Sequence, residues 1–263
     1  MDTLADIRPL LAQAVPWTLV LFRVAGVFIA APMLASSMIP TRYRALMSAV
    51  IAAGLFPLVG PDLKVPADMD LFGLLPLVAG EALIGFSIGA IGMLPLLGME
   101  FAGSIAGHQM GFGLARVYSP ETDSDSEILG QILFYVGFGV YVALGGVEIM
   151  FTTLASSFKG IPLGEMGAGR APLDLYLGVF SAGFDMAIRV AAPITGIVLL
   201  VAIALGVMSK TVPQINIMTV GFTFKIVGGI VMLILSLYAA ASAASDVMAP
   251  MFNELAAWAA GAR

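Results

Sequence analysis

Residues Leu175 to Met208 read LYLGVFSAGFDMAIRVAAPITGIVLLVAIALGVM, an apolar run of 34 residues whose only charges are Asp185 and Arg189 and whose only proline is Pro193. As an α-helix this run is about 50 Å long at 1.5 Å per residue. A bilayer's hydrocarbon core is about 30 Å thick and takes roughly 20 helical residues. The segment is therefore a membrane helix too long for a perpendicular crossing: it tilts, breaks at Pro193 or projects beyond the bilayer. Asp185 and Arg189 stand four residues apart, share one helix face and neutralise each other. Either the pair simply lets the helix insert and pack, or it belongs to a proton relay, which needs several converging acids. One sequence does not show convergence.

Working outward, the same character holds along the chain, with 60% hydrophobic residues, 11% charged residues and a mean hydropathy of +1.01. No soluble domain hides that much apolar surface. The reading is an all-α polytopic membrane protein of about six long, partly kinked helical regions. They cover about Ala14 to Leu34, Ala45 to Val59, Leu71 to Ala102, Ile128 to Leu154 with an interruption at Gly145-Gly146, Leu175 to Met208, and Ile217 to Ala244. Pro76 and Pro95 are expected kinks in the third region, and the tail from Asp246 to Arg263 is expected to lie at the interface as an amphipathic segment. The start MDTLADIRPLL lacks the basic n-region of a signal peptide, so the first apolar run is expected to be retained. Lys and Arg are nearly balanced between alternate sides: Arg8, Lys64, Lys159, Arg170 and Arg263 against Arg42, Arg44, Arg116 and Lys210. Free insertion usually leaves a clearer bias, so topology is expected to depend partly on partner subunits.

Charges inside apolar segments cost at least about 2.5 kcal/mol each on insertion scales and face protein or water. Here they are Arg23, Glu81, Glu100, Glu148, Asp185, Arg189 and Lys225. Gly85 and Gly89, four residues apart, form a small-residue ridge of the kind that brings helices together in lipid, and Gly103, Gly107 and Gly111 repeat that spacing. The second set runs into GFGLARVYSPETDSDSE, residues 111–127, where the helix is expected to dissolve into a loop. Irregular, glycine-rich backbone at membrane depth is tolerated only where protein buries it or water lines it. That points to a conduction path, with Met110 as a flexible sealing side chain. His108, the only histidine, reads most simply as a core residue hydrogen-bonded to one neighbour.

The chain has no cysteine, and one histidine excludes a multi-histidine metal site. No HExxH, GxSxG, P-loop or GxGxxG occurs, so no catalytic residues, metal or cofactor are nominated. No basic patch suggests nucleic acid. A stand-alone proton-coupled transporter is the alternative, with Glu81, Glu100, Asp185 and Arg189 binding a small solute and a proton at broken helices. No convincing internal repeat supports it.

The segment Val212-Pro-Gln-Ile-Asn-Ile-Met-Thr-Val-Gly-Phe-Thr-Phe-Lys-Ile226 resembles the signature of the FliR/SctT family, the R component of the flagellar (type III secretion) export gate. Arg23-Val-Ala-Gly26 with Ala31-Pro32, Gly80-Glu81, the Gly85 to Gly89 run, Gly103 to Gly111, Gly145-Gly146, Ser157-Phe158 with Pro162, and Ala192-Pro193 extend the resemblance over nearly the whole chain. It implies a non-enzymatic pore subunit of the bacterial inner membrane at the flagellar basal body. The implied partners are FliP-like and FliQ-like subunits, with FlhB-like and FlhA-like components, membrane lipid and the exported unfolded proteins.

It further implies a P-like part, 1–174, carrying a pore-plug loop, and a Q-like long hairpin with its tail, 175–263, in one integrated unit. The plug would be about Ala106 to Asp123, with Gly107, His108, Gln109, Met110, Gly111, Phe112, Gly113, Tyr118 and Pro120. Gly85, Gly89 and Gly103 would serve subunit packing, and Lys210, Pro213, Gln214 and Asn216 the hairpin tip and its partner contact. Many relatives carry proline where this chain has Thr223, so a softer kink is expected before Lys225.

Overall fold

A computed structural model of the chain describes residues 3–35, 39–59, 71–112, 128–164, 172–211 and 217–261, apart from the side chains of 3–13, 71–72, 211 and 217–219. Seven α-helices account for nearly all of these residues, and none of the described residues is in a strand: α1 Thr3–Ala30, α2 Thr41–Val59, α3 Leu71–Met110, α4 Ile128–Ala143, α5 Gly146–Gly160, α6 Leu173–Thr211 and α7 Ile217–Ala259. By length and composition α2, α3, α6 and α7 are each able to cross a membrane, and the bent pair α4–α5 makes a fifth span if counted as one. The polytopic all-α reading is correct.

The interruption expected at Gly145-Gly146 is present, and three other local readings are decided or change. The fourth region is two helices bent by 61°, because Gly145 adopts a left-handed φ of 74° that ends the first and starts the second. The third region does not stop at Ala102: α3 runs on through Gly103 and Gly107 to Met110, since packed neighbours offset the helix-weakening of the glycines. Pro193 does not break α6, which is continuous over 39 residues. One lost hydrogen bond within so long an apolar helix does not end it. The tail is not a separate interfacial segment either. It is the last part of α7, and Met248, Met251, Phe252, Leu255, Trp258 and Ala259 are buried along one face at helical spacing.

The chain forms two compact units. The first contains residues 1–93, 145–177 and 251–263. In it α2 packs on α1, while α1 and the first half of α3 cross with almost no space between their backbones. A β-carbon on Gly26 would strike the carbonyl oxygen of Ala82, one on Gly85 that of Arg23, and one on Gly89 would lie 2.7 Å from the Ala31 nitrogen. Leu19, Val20, Val24 and Val27 of α1, with Ile84, Ile88 and Ile91 of α3, form the core beside this crossing. The end of α7 closes against α5 in the same way, since a β-carbon on Gly160 would meet the backbone of Ala259 to Gly261.

The second unit contains residues 94–144 and 178–250. Its part of α3 buries Leu96, Met99, Ala106 and Met110 on one stripe. That stripe faces α4, running antiparallel: Gly137 lies over Met99 and Leu96, and Gly103 against Leu129 and Gly130. In this unit α6 and α7 form a hairpin, with Gly221 against Leu205 and Gly228 against Ile197 and Val201.

Candidate functional site

Two groups of candidate residues acquire a defined geometry. The first unit holds a buried ion pair. Arg23 and Glu81 are both fully buried, and Arg23 Nε donates to Glu81 Oε2 at 2.5 Å. Arg23 Nη1 donates to the carbonyl oxygens of Ser157 and Ile161, both at 3.0 Å, and lies 3.3 Å from Ser157 Oγ. The Phe158 ring covers the guanidinium, with Cζ 4.5 Å from its centroid, a cation–π contact strengthened by the absence of water. Glu81 uses its other oxygen, Oε1, to accept the backbone N–H of Gly164 at 2.8 Å. Two charges thus tie α1 and α3 to the turn that follows α5. Among the described residues only Nη2 of Arg23 and Oγ1 of Thr153 are buried side-chain atoms without a hydrogen-bond partner.

This cluster explains how Arg23 and Glu81 are tolerated in apolar helices: burial of a charge is costly unless it is paired and hydrogen-bonded. The sequence marks both charges, but their partners are 58 to 138 positions from Arg23. Ser157, Phe158, Ile161 and Gly164 as ligands of the pair were not foreseen. The Ser157-Phe158 motif was the available signal.

The other charges behave differently. Asp185 and Arg189 do pair, at 2.7 Å, but their side chains are 60% and 72% exposed in this chain, so they are not buried charges. Reversing both, Asp185→Arg with Arg189→Asp, is expected to restore part of the membrane accumulation that either reversal alone loses. No recovery in the double variant would show that the two do not act as a pair. Glu148 is exposed in the first turn of α5, where the helix dipole favours an acid. Glu100 and Lys225 are half-buried. Gly85 and Gly89 pack on α1, and Gly103 on α4, so their close approach is made within the chain rather than between subunits.

The second group is the end of α3 in the second unit. Gly107, His108, Gln109 and Met110 are helical, not looped. His108 is exposed, and its Nδ1 lies 2.8 Å from the Ser104 carbonyl oxygen, a bond within the helix rather than to a core neighbour. The helix unwinds one residue later than Met110: Gly111 takes a left-handed φ of 96°, and the Gly111 and Phe112 nitrogens donate back to the Gly107 carbonyl oxygen at 3.2 and 3.1 Å. Met110 is fully buried. A β-carbon on Gly229 of α7 would lie 2.5 Å from Met110 Cε and 2.7 Å from its Sδ and Cγ, and one on Gly111 would lie 2.6 Å from Phe222 Cε2. The seam between α3 and α7 is closed by a methionine seated on a glycine.

Gly113, Tyr118 and Pro120, with the rest of the expected plug to Asp123, lie outside the described residues, as do Pro213, Gln214 and Asn216 of the hairpin tip. Lys210 is exposed in the last turn of α6. Helix α7 continues through Thr223. No group of acidic and histidine side chains able to hold a metal occurs among the described residues.

Long apolar helices, with a charge pair buried between them and a tightly closed glycine crossing, define a polytopic helical membrane protein. Residues 14–251 match the model of bacterial export proteins, family 1, and the chain belongs to that family. Three similar proteins are the flagellar biosynthetic protein FliR of Bacillus subtilis (30% identical over 139 residues; 52% of this chain and 54% of that protein), FliR of Aquifex aeolicus (28% over 136 residues; 52% of each), and the surface presentation of antigens protein SpaR of Salmonella typhimurium (28% over 141 residues; 53% and 52%). The chain spans about half the length of the relatives it matches. Family membership and the apolar helices together place the chain in the bacterial inner membrane.

Proposed function

We propose that this chain is a non-enzymatic pore subunit of the flagellar type III export gate, contributing walls and a gating segment to a channel for unfolded flagellar proteins, in company with FliP-like and FliQ-like subunits at the flagellar basal body. The division into a P-like part, 1–174, and a Q-like hairpin, 175–263, belongs to the same reading, as do contacts with FlhB-like and FlhA-like components. The observation that carries it is the length of exposed apolar surface. On α6 the exposed Leu177 and Val207 stand 30 residues apart, which at 1.5 Å per residue is about 45 Å, half as long again as a hydrocarbon core of about 30 Å. Leu177, Phe180 and Val207 near the two ends of α6, and Phe224 and Tyr238 on α7, all remain exposed. Lipid alone does not cover that length, whereas apolar helices of neighbouring subunits do.

The test is to tag the chain at its native locus, extract it gently from membranes and identify by mass spectrometry what copurifies. One copy held with several FliP-like and FliQ-like subunits is the expected result. A homogeneous monomer or homodimer would overturn the reading.

The gating role makes a separate prediction at Gly111. Its left-handed φ disfavours L-residues by about 1–2 kcal/mol, and the β-carbon would press on Phe222. Gly111→Val and Gly111→Ile should therefore lower the export rate while leaving the chain in the membrane. Secretion at the unmodified rate in both variants would remove the gating role.

A further inference from the structure

We infer that Gly229 is a seat for Met110 and that withdrawal of Met110 from it is a step in opening the gate; this rests on the export-gate reading above. Three features of the second unit meet at this point. Met110 is the last helical residue of α3 and is fully buried. Gly111 follows immediately in a left-handed conformation that a glycine adopts without penalty, so the chain has a pivot directly beyond the side chain that is seated. Gly229 leaves the space that Met110 fills, because a β-carbon there would collide with three consecutive atoms of the methionine, Cγ, Sδ and Cε.

The adjacent glycine has other neighbours. Gly228 faces Ile197 and Val201 of α6, so the Gly228-Gly229 pair serves two different neighbours on two sides of α7. Two consecutive glycines in a helix interior weaken it by roughly 1 kcal/mol each relative to alanine. A β-carbon on Gly228 would lie in ordinary contact, 3.8 Å from the Ile197 and Val201 side chains, so packing does not demand glycine there, whereas the seat for Met110 accounts for Gly229.

The seat suits a contact that must be made and broken. Methionine has three rotatable side-chain bonds and no branch, so it enters and leaves a notch by rotamer changes, where a branched residue would be caught. Phe222, about two helical turns before Gly229, lies over Gly111 and limits the movement of the pivot while the methionine is seated. Release of Met110 thus loosens the backbone at Gly111 from α7.

The absence of cysteine from the chain makes the test direct. In the double variant Met110→Cys with Gly229→Cys, a sulfur near the present Cγ position would stand about 2.7 Å from the new β-carbon at residue 229, close enough for a disulfide with little backbone movement. The variant is placed at the native locus, and membranes containing the assembled complex are oxidised with diamide and then reduced with dithiothreitol. The expected result is a disulfide within the chain, export falling to the level of cells lacking the chain, and recovery on reduction. The two single-cysteine variants should be insensitive to oxidation.

Failure of the thiols to pair in the assembled complex would overturn the inference, as would undiminished export through a fully formed disulfide. Either result leaves the export-gate reading standing, which falls only if the unmodified chain does not copurify with export subunits. Should the double cysteine variant fail to accumulate, the steric pair decides the matter. Gly229→Ala is expected to reduce accumulation or make the membrane leak ions, and adding Met110→Ala should reverse the part caused by collision. No reversal overturns the seat.

Discussion

Replacing Arg23 with leucine is expected to cost about 3–5 kcal/mol of stability, because it strands Glu81 as an unpaired charge in a site that water does not reach. The loss extends past the ion pair. Arg23 also donates to the carbonyl oxygens of Ser157 and Ile161 and lies under Phe158, so α1, α3 and the turn after α5 come apart together. Ser157 still has a donor in the Ile161 N–H at 2.8 Å. Removing both charges, Arg23→Leu with Glu81→Leu, eliminates the stranded carboxylate and should recover much of the stability. Recovery will be incomplete because the Gly164 N–H loses its acceptor, at about 1–3 kcal/mol for a buried group left unsatisfied. The measurement is the fraction of chain remaining soluble in mild detergent after a temperature series. A double variant less stable than the single would show that the pair contributes more than mutual neutralisation.

The other large effect is expected at Gly85. A β-carbon there strikes the carbonyl oxygen of Arg23 and lies 2.8 Å from its carbonyl carbon and 3.0 Å from the Val27 nitrogen. Every one of those atoms is backbone, so no side chain can rotate away and α1 must lift from α3. Overpacking typically costs about 1–3 kcal/mol, and Gly85→Leu should fall at or above the top of that range. Lifting α1 at Arg23 also pulls its guanidinium from Glu81. The two sites are therefore coupled, and Gly85→Leu combined with Arg23→Leu should cost less than the sum of the two. Gly139→Ala in α4 is the control, since nothing lies within 4 Å of its β-position. Alanine there should be neutral or stabilise the chain by up to about 1 kcal/mol. Equal accumulation of Gly85→Leu and the unmodified chain would contradict the tight crossing.

How far the sequence could be read depended on the range of the interaction involved. The seven helices follow from apolar runs and from Gly145-Gly146, which are local features, and only their ends moved. Proline left an alternative open and glycine misled: Pro193 allowed a break as one of three outcomes, and the glycines from Gly103 onward suggested a loop. In both cases α6 and α3 continue as helix, because in a long apolar helix one missing bond or a flexible residue is outweighed by all the bonds around it and, for α3, by close packing on α4. The apolar face of the tail is legible from its spacing, but that it is covered by the rest of the chain and not by the interface is not.

The candidate site divides along the same line. The sequence identified Arg23, Glu81, Met110 and Gly111 as residues in need of explanation, and it paired Asp185 with Arg189 through their four-residue spacing. It did not join Arg23 to Glu81 or to the turn at Ile161 to Gly164, nor Met110 to Gly229.

By itself, then, the sequence determined that this is an all-helical membrane protein, where its helices lie, and which polar residues would be expensive in lipid. These properties depend on hydrophobicity and on neighbours within a few residues, which a linear reading contains. Only the tertiary structure decided that Gly85 and Gly89 serve a crossing inside the chain, that Arg23 and Glu81 neutralise each other, and that Met110 rests on Gly229. Each is a contact between residues far apart in the chain, whose partners are chosen by the shape of the packed helices, and in that shape a missing β-carbon matters as much as a charge.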